Sequence, residues 1–291
     1  MPTTWTVRTL LTWSHTWLSE RGCDSPRLDA ELLLAHALRI DRLRLFLDPD
    51  RPLTPDELAN YRTLIKRRGE REPVAYILQN KGFWSLDLHI TPGVLIPRPD
   101  TECLVETVRN HCEDRQKAWR FLDVGIGSGA ILLSLLHDFP NSQGVATDIS
   151  ATAIACAQTN AETLKLSSRC DLRSGSLLTP LTPDETFDVI VSNPPYIDAT
   201  EWRDLAPEVY RWEPQEALWG GEDGLMIYRE LIPQTRPHLK PGGLLAVEIG
   251  WKQGERVSRL FEEAGFKEVT VLKDYGQRDR VVRGMVPGSD V

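Results

Sequence analysis

The sequence lacks the features typical of secreted, membrane-spanning and zinc-binding proteins. Its 291 residues include five cysteines, with no Cys-x-x-Cys pair and no Cys/His ligand spacing, so neither a disulfide framework nor a zinc site is predicted. No run of about 18 apolar residues is present, and Arg8 interrupts the N-terminal stretch, so we expect no membrane span and no signal peptide. The composition favours a protein of the reduced cytoplasm.

The sequence also lacks an excess of positive charge. Its net charge is −8, which argues against a general affinity for nucleic acid or for anionic membranes. Residues 1–80 carry 12 Lys/Arg against 11 Asp/Glu, whereas the rest of the chain carries 22 against 31. The basic run at 62–71, with Arg68 pointing mostly outward, favours a solvated helix face over a docking surface for an acidic partner or a ribonucleoprotein. We expect no membrane partner, no direct nucleic-acid partner and a monomer.

Apolar residues recur at helical spacing through the first 80 residues. One predicted helix covers residues 5–20, and Ser25-Pro26 is predicted to begin a second helix, with Ser25 as its N-cap. The run 54-TPDE-57 has the capping-box pattern with proline at the first helical position, which predicts the start of a third helix. Alternating apolar residues over 86–90, a Thr-Pro-Gly turn and the run 94–97 then predict a β-hairpin.

From residue 99 onward, predicted strands and helices alternate along the chain, which is typical of a mostly parallel sheet with helices on both faces. The predicted strands are 119–124, 143–149, 169–174, 187–192, 244–250, 266–273 and 279–286. The predicted helices are 101–114, 129–138, 150–164, 224–238 and 252–264, and 198–222 is a long loop expected beside the substrate entrance. We predict an α/β fold with a helical domain at 1–80, a linking β-hairpin at 81–98 and a seven-stranded domain at 99–291.

A glycine-rich turn follows the first strand of the predicted α/β domain. In 123-DVGIGSGA-130, Gly125, Gly127 and Gly129 allow the backbone to turn tightly and to approach a ligand closely. The helix that follows can offer its N-terminal N–H groups to that ligand. Asp148 ends the next strand, where its carboxylate can accept from both hydroxyls of a ribose, although it could instead cap the helix at 150. Together these features predict a site for an adenosine-containing cofactor.

The glycine-rich turn alone leaves the identity of that cofactor open. The spacing of Gly125, Gly127 and Ala130 also fits the loose dinucleotide pattern, which would indicate NAD. No nicotinamide-type catalytic His, Lys or Tyr motif follows downstream, so an NAD enzyme is disfavoured. A Walker lysine is absent as well, which argues against nucleoside triphosphate chemistry.

A second motif lies where the apolar strand predicted at 187–192 runs into 193-NPPY-196. If this strand lies beside strand 119–124, the motif reaches the same crevice as the glycine-rich turn. Asn193 supplies a side-chain carbonyl, and Pro194 supplies a backbone carbonyl that two fixed proline φ angles aim. Two such acceptors can orient the NH2 group of an amide or an aromatic amine for in-line methyl transfer from a sulfonium. Tyr196 can pack against a planar substrate group.

Several longer runs carry a resemblance to a known family. They are 73-PVAYIL-78, 94-VLIPRPDTE-102, 123-DVGIGSGA-130, 191-VSNPPYI-197, 213-EPQEALWGGEDGL-225, 240-KPGGLLAVEIG-250 and Arg280-Val281-Val282. With them the chain resembles the class I S-adenosylmethionine-dependent methyltransferases, and more narrowly the HemK-type release-factor glutamine methyltransferases, over nearly its whole length. Asn-Pro-Pro-Tyr is shared with DNA adenine methyltransferases, whereas the runs at 94–102 and 213–225 are much more specific. The fold implied is the Rossmann-like sheet of class I methyltransferases.

The resemblance implies a reaction and a set of site residues. The reaction is N5-methylation of the glutamine in the Gly-Gly-Gln loop of class-1 peptide-chain release factors, with S-adenosylmethionine as methyl donor. The implied cofactor-binding residues are Gly125, Ile126, Gly127, Ser128, Gly129, Asp148, Leu177 and Asn193. The implied substrate-binding residues are Asn193, Pro194, Pro195 and Tyr196, of which Asn193, Pro194 and Tyr196 are catalytic. The helical domain would help to hold the release factor, and no metal is expected.

The chain departs from the family pattern at three positions. Ile126 stands where threonine is common, and we expect this change to be tolerated. Ser176 stands where an acidic residue is common beside the adenine, which puts that contact in doubt. Gln79 replaces a glycine that often follows the 73–78 run, so it affects the hinge and not the chemistry.

Two other functions remain open from the sequence. A nucleic-acid adenine N6-methyltransferase would also present a planar NH2 group to the motif, but it needs a basic binding face and a base-flipping pocket. A translation-associated binding protein with a vestigial cofactor site would not be expected to retain the glycine-rich turn, Asp148 and Asn-Pro-Pro-Tyr together.

Overall fold

The computed structural model describes residues 4–288, and within them the chain forms two compact units. The first unit runs to Asn80 and also includes Ala206–Trp212, whereas the second comprises Lys81–Leu205 and the chain from Glu213 onward. The second unit therefore differs from the predicted 99–291 domain in two ways: it includes the segment 81–98, which was predicted as a separate hairpin, and it lacks Ala206–Trp212. The outer ends of the predicted domains, residues 1 and 291, lie outside the described residues.

The first unit is helical. Its helices up to Asn80 are α1 (Val7–Ser19), α2 (Pro26–Leu38), α3 (Arg42–Leu47), α4 (Pro55–Gly69) and α5 (Val74–Leu78). The predicted capping box at Thr54 is confirmed, because the Thr54 side chain accepts from the Glu57 N–H and the Glu57 carboxylate accepts from the Thr54 N–H. Ser25 is the N-cap residue of α2 and Pro26 its first helical residue, as predicted, although the Ser25 side chain makes no capping hydrogen bond.

One arginine of the basic run is buried in this unit, contrary to the prediction that it points outward. Arg68 is 4% exposed and donates hydrogen bonds to Asp29 Oδ2 at 2.7 Å and to Glu208 Oε1 at 2.9 Å. Arg71 also pairs with Glu208. The two carboxylates compensate the positive charge of the buried Arg68 guanidinium, and a charged group is buried in a protein only when it is paired in this way. The contacts of Glu208 also explain why Ala206–Trp212 belongs to the helical unit.

A two-stranded hairpin lies at the start of the second unit, and one of its strands is where it was predicted, at 86–90. It pairs β1 (Asn80–Phe83) with β2 (Leu86–His89), whereas the run 94–97 forms no strand. The backbone groups of that run have other partners. The Val94 N–H closes a turn onto the Thr91 carbonyl at 3.2 Å, and the Ile96 N–H donates to Glu213 Oε2 at 3.1 Å. Pro97 has no N–H to contribute to a ladder.

The main sheet has seven strands, as predicted. They are β3 (Arg120–Val124), β4 (Gln143–Asp148), β5 (Cys170–Ser174), β6 (Phe187–Ser192), β7 (Leu239–Glu248), β8 (Lys267–Lys273) and β9 (Asp279–Met285). Their order across the sheet is β5-β4-β3-β6-β7-β9-β8. The first five of these pair in parallel, and β9 is antiparallel to both β7 and β8. The predicted placement of 187–192 beside 119–124 is confirmed.

Helices cover both faces of this sheet. They are α6 (Glu102–His111), α7 (Ala130–Asp138), α8 (Ala151–Thr163), α11 (Met226–Thr235) and α12 (Gly254–Glu263). The short helix α9 (Ala199–Arg203) follows the Asn-Pro-Pro-Tyr motif along the chain, and α10 (Pro207–Trp212) belongs to the helical unit. Leu122 packs in one core cluster with Leu231 of α11, whereas the ring of its neighbour Phe121 lies 5.4 Å from that of Phe139, which ends α7. Because successive strand residues face opposite sides, β3 is buried on both.

Candidate active site

A crevice of about 540 Å³ opens at the carboxyl ends of β3, β4 and β6. The strand order reverses here: β4 and β5 extend the sheet on one side of β3, and β6 and β7 on the other. Ligands of open α/β sheets bind outside such a switch point. The lining residues come from within 93–95, 124–127, 147–153, 175–177, 192–195, 214–217 and 227–230, all in the second unit. The volume is in the range of small-molecule sites.

The glycine-rich turn forms one wall of the crevice. Gly125 and Gly127 have φ angles of 84° and 54°, and a Cβ atom added to either would meet nothing within 4 Å. Glycine is therefore used here for its backbone conformation, and the space above the two residues is left free for a ligand. The N–H groups of Gly125 and Ile126 both donate to the Thr147 carbonyl, at 2.8 and 3.1 Å, which ties the turn to β4.

Asp148, at the end of β4, lies beside this turn. Its Oδ2 atom accepts from the Gly127 N–H at 3.0 Å, and its Oδ1 atom accepts from the Ser150 N–H at 2.8 Å. A carboxylate offers about four acceptor sites, so two remain for ligand hydroxyls. Burial raises the pKa of Asp148, and its backbone hydrogen bonds lower it in opposition. The alternative role as helix cap belongs to Ser150, whose side chain accepts from the Ala153 N–H.

A second carboxyl group, Asp123, is buried beneath the turn. It is wholly inaccessible, and its Oδ2 atom accepts from the Leu132 N–H at 3.2 Å. Burial raises the pKa of Asp123 to about 8. Most of the Asp123 carboxyl is therefore neutral at pH 7, and the crevice wall itself contains Asp148 and not Asp123.

The Asn-Pro-Pro-Tyr motif forms the opposite wall. Ser192 ends β6 and donates to the Val124 carbonyl at 2.6 Å, which fixes the motif against the end of β3. Asn193, Pro194 and Pro195 line the crevice. The Asn193 Nδ2 atom donates to Thr101 Oγ1 at 3.2 Å, and no residue in the range 4–288 donates to its Oδ1 atom.

Tyr196 lies behind this wall and is not among the residues that line the crevice. Its ring packs against the main hydrophobic core of the second unit, and its hydroxyl donates to Glu248 Oε1 at 3.4 Å. Glu248 ends β7 and is 1% exposed. Burial raises the pKa of Glu248 to about 7, although hydrogen bonds from Thr101 and Tyr196 and the positive charge of Arg280 lower it.

Residues 218–224 and Gln253 hold the backbone of the motif from behind. The Gln253 Nε2 atom donates to the Tyr196 carbonyl at 3.0 Å and to the Gly224 carbonyl at 3.1 Å. The Ile197 N–H donates to the Leu218 carbonyl, and the Gly220 N–H donates to the Ile197 carbonyl, at 3.0 Å each. A Cβ atom on Gly220 would lie 2.7 Å from Tyr196 Cα and 2.8 Å from the Pro195 carbonyl oxygen. Only glycine fits at this close approach.

The two runs that were most specific to the family contact each other. Glu213 accepts from the Ile96 N–H and from the Arg98 guanidinium, at 3.1 and 2.5 Å, so the start of one run is fixed to the other. Gly93, Val94 and Leu95 precede this contact, and Pro214, Glu216 and Ala217 follow it; all six line the crevice. The expectation that 198–222 borders the entrance therefore holds for its part at 214–217.

The structure brings together some of the predicted site residues and not others. Gly125, Gly127, Asp148, Leu177, Asn193, Pro194 and Pro195 line one crevice. Ile126 and Ser128 are buried, and Ser128 contributes a backbone carbonyl that accepts from Asn160 Nδ2 at 2.8 Å. Gly129 is a close-packing position, because its Cβ atom would lie 2.7 Å from Leu133 Cδ1. Ser176 lines the crevice at the position where an acidic residue is common.

The residues that support the motif were not identified from the sequence. Thr101, Glu248 and Gln253 contact Asn193 or Tyr196 from other elements of the second unit. A signal existed for Glu248, because the register pairs Ser192 with Val247, so the residue after Val247 lies beside Asn193. A charged residue at the end of a buried strand next to the motif is the pattern that would have found it.

Among residues 4–288, no helix is long and apolar enough to cross a membrane, and no group of three or more His, Cys, Asp or Glu side chains could hold a metal ion.

Two sequence profiles match the chain. The profile described as PrmC N-terminal domain matches residues 9–78, and the one described as methyltransferase small domain matches residues 98–209.

Solved structures and curated relatives complete the comparison. A methyltransferase from Pyrococcus furiosus shares the fold with a TM-score of 0.53, at 20% identity over 79% of this chain and 99% of that one. A release factor glutamine methyltransferase from Geobacter sulfurreducens is 44% identical over 285 residues, 98% of both chains, and that from Caulobacter vibrioides is 44% identical over 268 residues, 92% of both. At this identity and coverage, the chain belongs to the release factor glutamine methyltransferase family.

Proposed function

We propose that this protein transfers a methyl group from S-adenosylmethionine to the side-chain amide nitrogen N5 of a glutamine, the one in the Gly-Gly-Gln motif of a class-1 peptide-chain release factor. Beyond family membership, the proposal names the methyl donor, the acceptor atom and the residues that act on each. It is supported by a crevice in which the glycine-rich turn and Asp148 face Asn193, Pro194 and Pro195.

The donor side of the crevice fits an adenosine-containing methyl donor. The space above Gly125 and Gly127 admits a ligand close to the backbone, and Asp148 retains acceptor capacity for ribose hydroxyls. Leu177 and Ser176 extend this side and would border the adenine. When bound, S-adenosylmethionine supplies a methyl group already activated on a sulfonium.

The acceptor side fits a primary amide. The nitrogen of an amide is a weak nucleophile because its lone pair is delocalised, so its orientation limits the reaction. Asn193 Oδ1 and the Pro194 carbonyl would accept from the two N–H groups and hold the lone pair toward the methyl group. A new N–C bond forms as the S–C bond breaks, and the nitrogen then releases its surplus proton to water. No strong base is required before transfer.

The observation that carries this proposal is the orientation of the Asn193 amide. Its nitrogen is bonded to Thr101 Oγ1, which leaves its oxygen as the acceptor for a substrate NH2 group. The rigid Pro194-Pro195 step holds that oxygen beside the crevice that the donor would occupy.

We also propose that the helical unit helps to hold the release factor. The relatives at 44% identity include this unit in their matched length, and they are named for a protein substrate. A macromolecular substrate explains a second unit better than a free amino acid would. We also propose that the protein acts as a monomer in the cytoplasm, a location that its five free cysteines fit.

An adenine N6-methyltransferase is the competing function, because adenine also presents a planar NH2 group. The predicted α/β part carries 22 Lys/Arg against 31 Asp/Glu after residue 80, which opposes binding to a phosphate backbone. Glu216 and Glu230 at the crevice are exposed and form no ion pair with another residue of 4–288, and they add to the negative charge there.

The direct test is a competition between substrates. The protein is incubated with labelled S-adenosylmethionine and either a purified release factor or adenine-containing DNA, and a release factor with its Gly-Gly-Gln glutamine changed to alanine serves as control. We expect label on the intact release factor alone. Label on DNA with none on the release factor would exclude the proposed function.

A further inference from the structure

A buried polar cluster joins Asn193 to the carboxylate of Glu248. The Asn193 Nδ2 atom donates to Thr101 Oγ1 at 3.2 Å, and the Tyr196 hydroxyl donates to Glu248 Oε1 at 3.4 Å. The Thr101 side chain also lowers the pKa of Glu248, as a hydroxyl donor close to a carboxylate does. Thr101 is 4% and Glu248 1% exposed. The sequence positions are 101, 193, 196 and 248, so the fold alone brings these groups together.

The direction of each bond in this cluster follows from the chemistry of a carboxylate. An ionised carboxylate only accepts hydrogen bonds, so a hydroxyl of Thr101 or Tyr196 that bonds to Glu248 must be the donor. With its single proton used, the Thr101 oxygen can only accept from Asn193. The Asn193 side chain must therefore present its nitrogen to Thr101 and its oxygen to the crevice.

The opposite orientation of the amide would oppose the reaction. It would turn the Asn193 NH2 group toward the NH2 group of the substrate, so that two donors would meet with no acceptor between them. A buried donor without a partner costs about 1–3 kcal/mol, which is enough to set the orientation of an amide.

We propose that Thr101 and Glu248 are positioning residues for methyl transfer, which act by holding the Asn193 carbonyl toward the NH2 group of a primary amide. The inference rests on the proposed function, since it assigns how Asn193 is prepared for that substrate. It adds two residues to the reaction that touch neither the donor nor the acceptor.

The residues around Glu248 determine whether its carboxyl group is ionised, and that ionisation would set the orientation of the Asn193 amide. Six polar, titratable or charged residues from five elements surround its carboxyl group. They are Asp100 and Thr101 before α6, Cys103 in α6, Tyr196 in the motif, Tyr228 in α11 and Arg280 in β9. Arg280 is the cation among them, and it is shared with Asp274 and Asp100 at 3.1 Å each. The Glu248 Oε2 atom is buried and has no hydrogen-bond partner among the described residues.

Protonation of Glu248 would remove the constraint on Thr101. A protonated carboxyl can donate a hydrogen bond, so Thr101 Oγ1–H is freed to donate toward Asn193 and to select the unproductive amide orientation. Because the pKa of Glu248 is raised to about 7, its ionised fraction rises as the pH increases through neutrality. Methyl transfer should therefore increase with pH over that window.

The test compares two substitutions at Thr101. Thr101→Val keeps the shape but removes the hydroxyl, and Thr101→Ser keeps the hydroxyl. Under single-turnover conditions with both substrates saturating, we expect Thr101→Val to slow transfer about tenfold and Thr101→Ser to restore it. The affinity for S-adenosylmethionine should be unchanged in both variants. Full activity of a folded Thr101→Val, or equal loss in both variants, would overturn the inference.

A double-mutant cycle separates positioning from a general structural effect. If Thr101 acts through Asn193, Thr101→Val should slow transfer in the wild type but add no further loss to Asn193→Ala. An equal loss in both backgrounds would overturn the inference while leaving the proposed function intact. If Asn193→Ala itself transferred methyl normally, the proposed function would fail instead.

The pH dependence of the transfer rate gives a third readout, and a substitution that acted only on the stability of the fold would leave it unchanged. The wild-type rate should fall as the pH drops below about 7, whereas Glu248→Gln, which cannot ionise, should be slower and flat over the same range. Equal melting temperatures of the wild type and both Thr101 variants establish that folding is preserved. A Glu248→Gln profile that parallels the wild type would contradict the assignment of Glu248.

Discussion

The donor wall and the acceptor wall of the crevice lie on adjacent strands, yet they are held in place by different kinds of contact. The glycine-rich turn is fixed to the end of β4 by two backbone bonds, from the Gly125 and Ile126 N–H groups to the Thr147 carbonyl, and by the Gly127 N–H, which donates to the Asp148 carboxylate. The Asn-Pro-Pro-Tyr motif is fixed by the side chains of Thr101, Glu248 and Gln253. The donor wall depends on backbone conformation, and the acceptor wall depends on a buried polar network.

This difference has a functional consequence. A cofactor that many methyltransferases share can be bound by a site of general form, and the glycine turn and one carboxylate provide such a site. An amide nitrogen needs its acceptors held within a few tenths of an ångström, which a satisfied buried network achieves better than a turn alone. Changes to the two walls should therefore separate donor binding from the rate of transfer.

The largest effect is expected on the acceptor wall. Asn193→Ala removes the side-chain acceptor for the substrate NH2 group, and we expect the turnover number to fall by roughly 10²- to 10³-fold, as for loss of one oriented group at a reacting centre. The affinity for S-adenosylmethionine should stay within about twofold, measured by calorimetry. Asn141→Ala, at an exposed asparagine, is the matched control and should leave turnover unchanged. Persistent turnover in Asn193→Ala would contradict the account of this wall.

The next effect is expected on the donor wall. Asp148→Ala removes an acceptor for ribose hydroxyls together with the partner of the Gly127 N–H. We expect S-adenosylmethionine to bind about 10- to 100-fold more weakly, because charge-assisted hydrogen bonds contribute about 1.5–3 kcal/mol. Turnover at saturating donor should change far less. Asp87→Ala, on the exposed side of β2, is the control; binding unchanged by Asp148→Ala would move the ribose contact elsewhere.

The smallest effect is expected from the glycine that supports the motif. Gly220→Ala would force the backbone at Tyr196 to shift, because the new Cβ atom would lie 2.7 Å from Tyr196 Cα. Overpacking of this kind costs about 1–3 kcal/mol, which urea unfolding can measure, and turnover should fall with donor affinity retained. Gly82→Ala is the control, since its nearest contact is an ordinary 3.8 Å. Equal stability of the two variants would show that the motif does not need this close approach.

The same difference explains how much could be predicted from the sequence. The donor wall is formed by residues that follow one another along two neighbouring strands, so Gly125, Gly127 and Asp148 could be placed from spacing alone. The strand order beside β3 followed from alternation of helices and strands, and it placed the motif in the same crevice. The seven-stranded sheet and the capping box at Thr54 were predicted for the same reason, because their signals are local.

What could not be predicted depends on contacts between distant positions. Thr101 and Asn193 are 92 residues apart, and Tyr196 and Glu248 are 52 apart. Periodicity carries no information on which hydroxyl meets which amide. The burial of Arg68 was missed for the same reason, since its partners Asp29 and Glu208 are 39 and 140 residues away. The second strand of the hairpin, predicted at 94–97, was wrong because the Ile96 N–H bonds to Glu213, 117 residues along the chain.

The most direct test of the central claim is to map the methylated atom by tandem mass spectrometry. Release factor is treated with saturating S-adenosylmethionine and either the wild type or Asn193→Ala, and donor binding is measured in parallel. The account predicts methyl on the side-chain nitrogen of the Gly-Gly-Gln glutamine with the wild type, and almost none with Asn193→Ala despite normal donor binding. Methyl on another residue, or equal modification by both proteins, would contradict it.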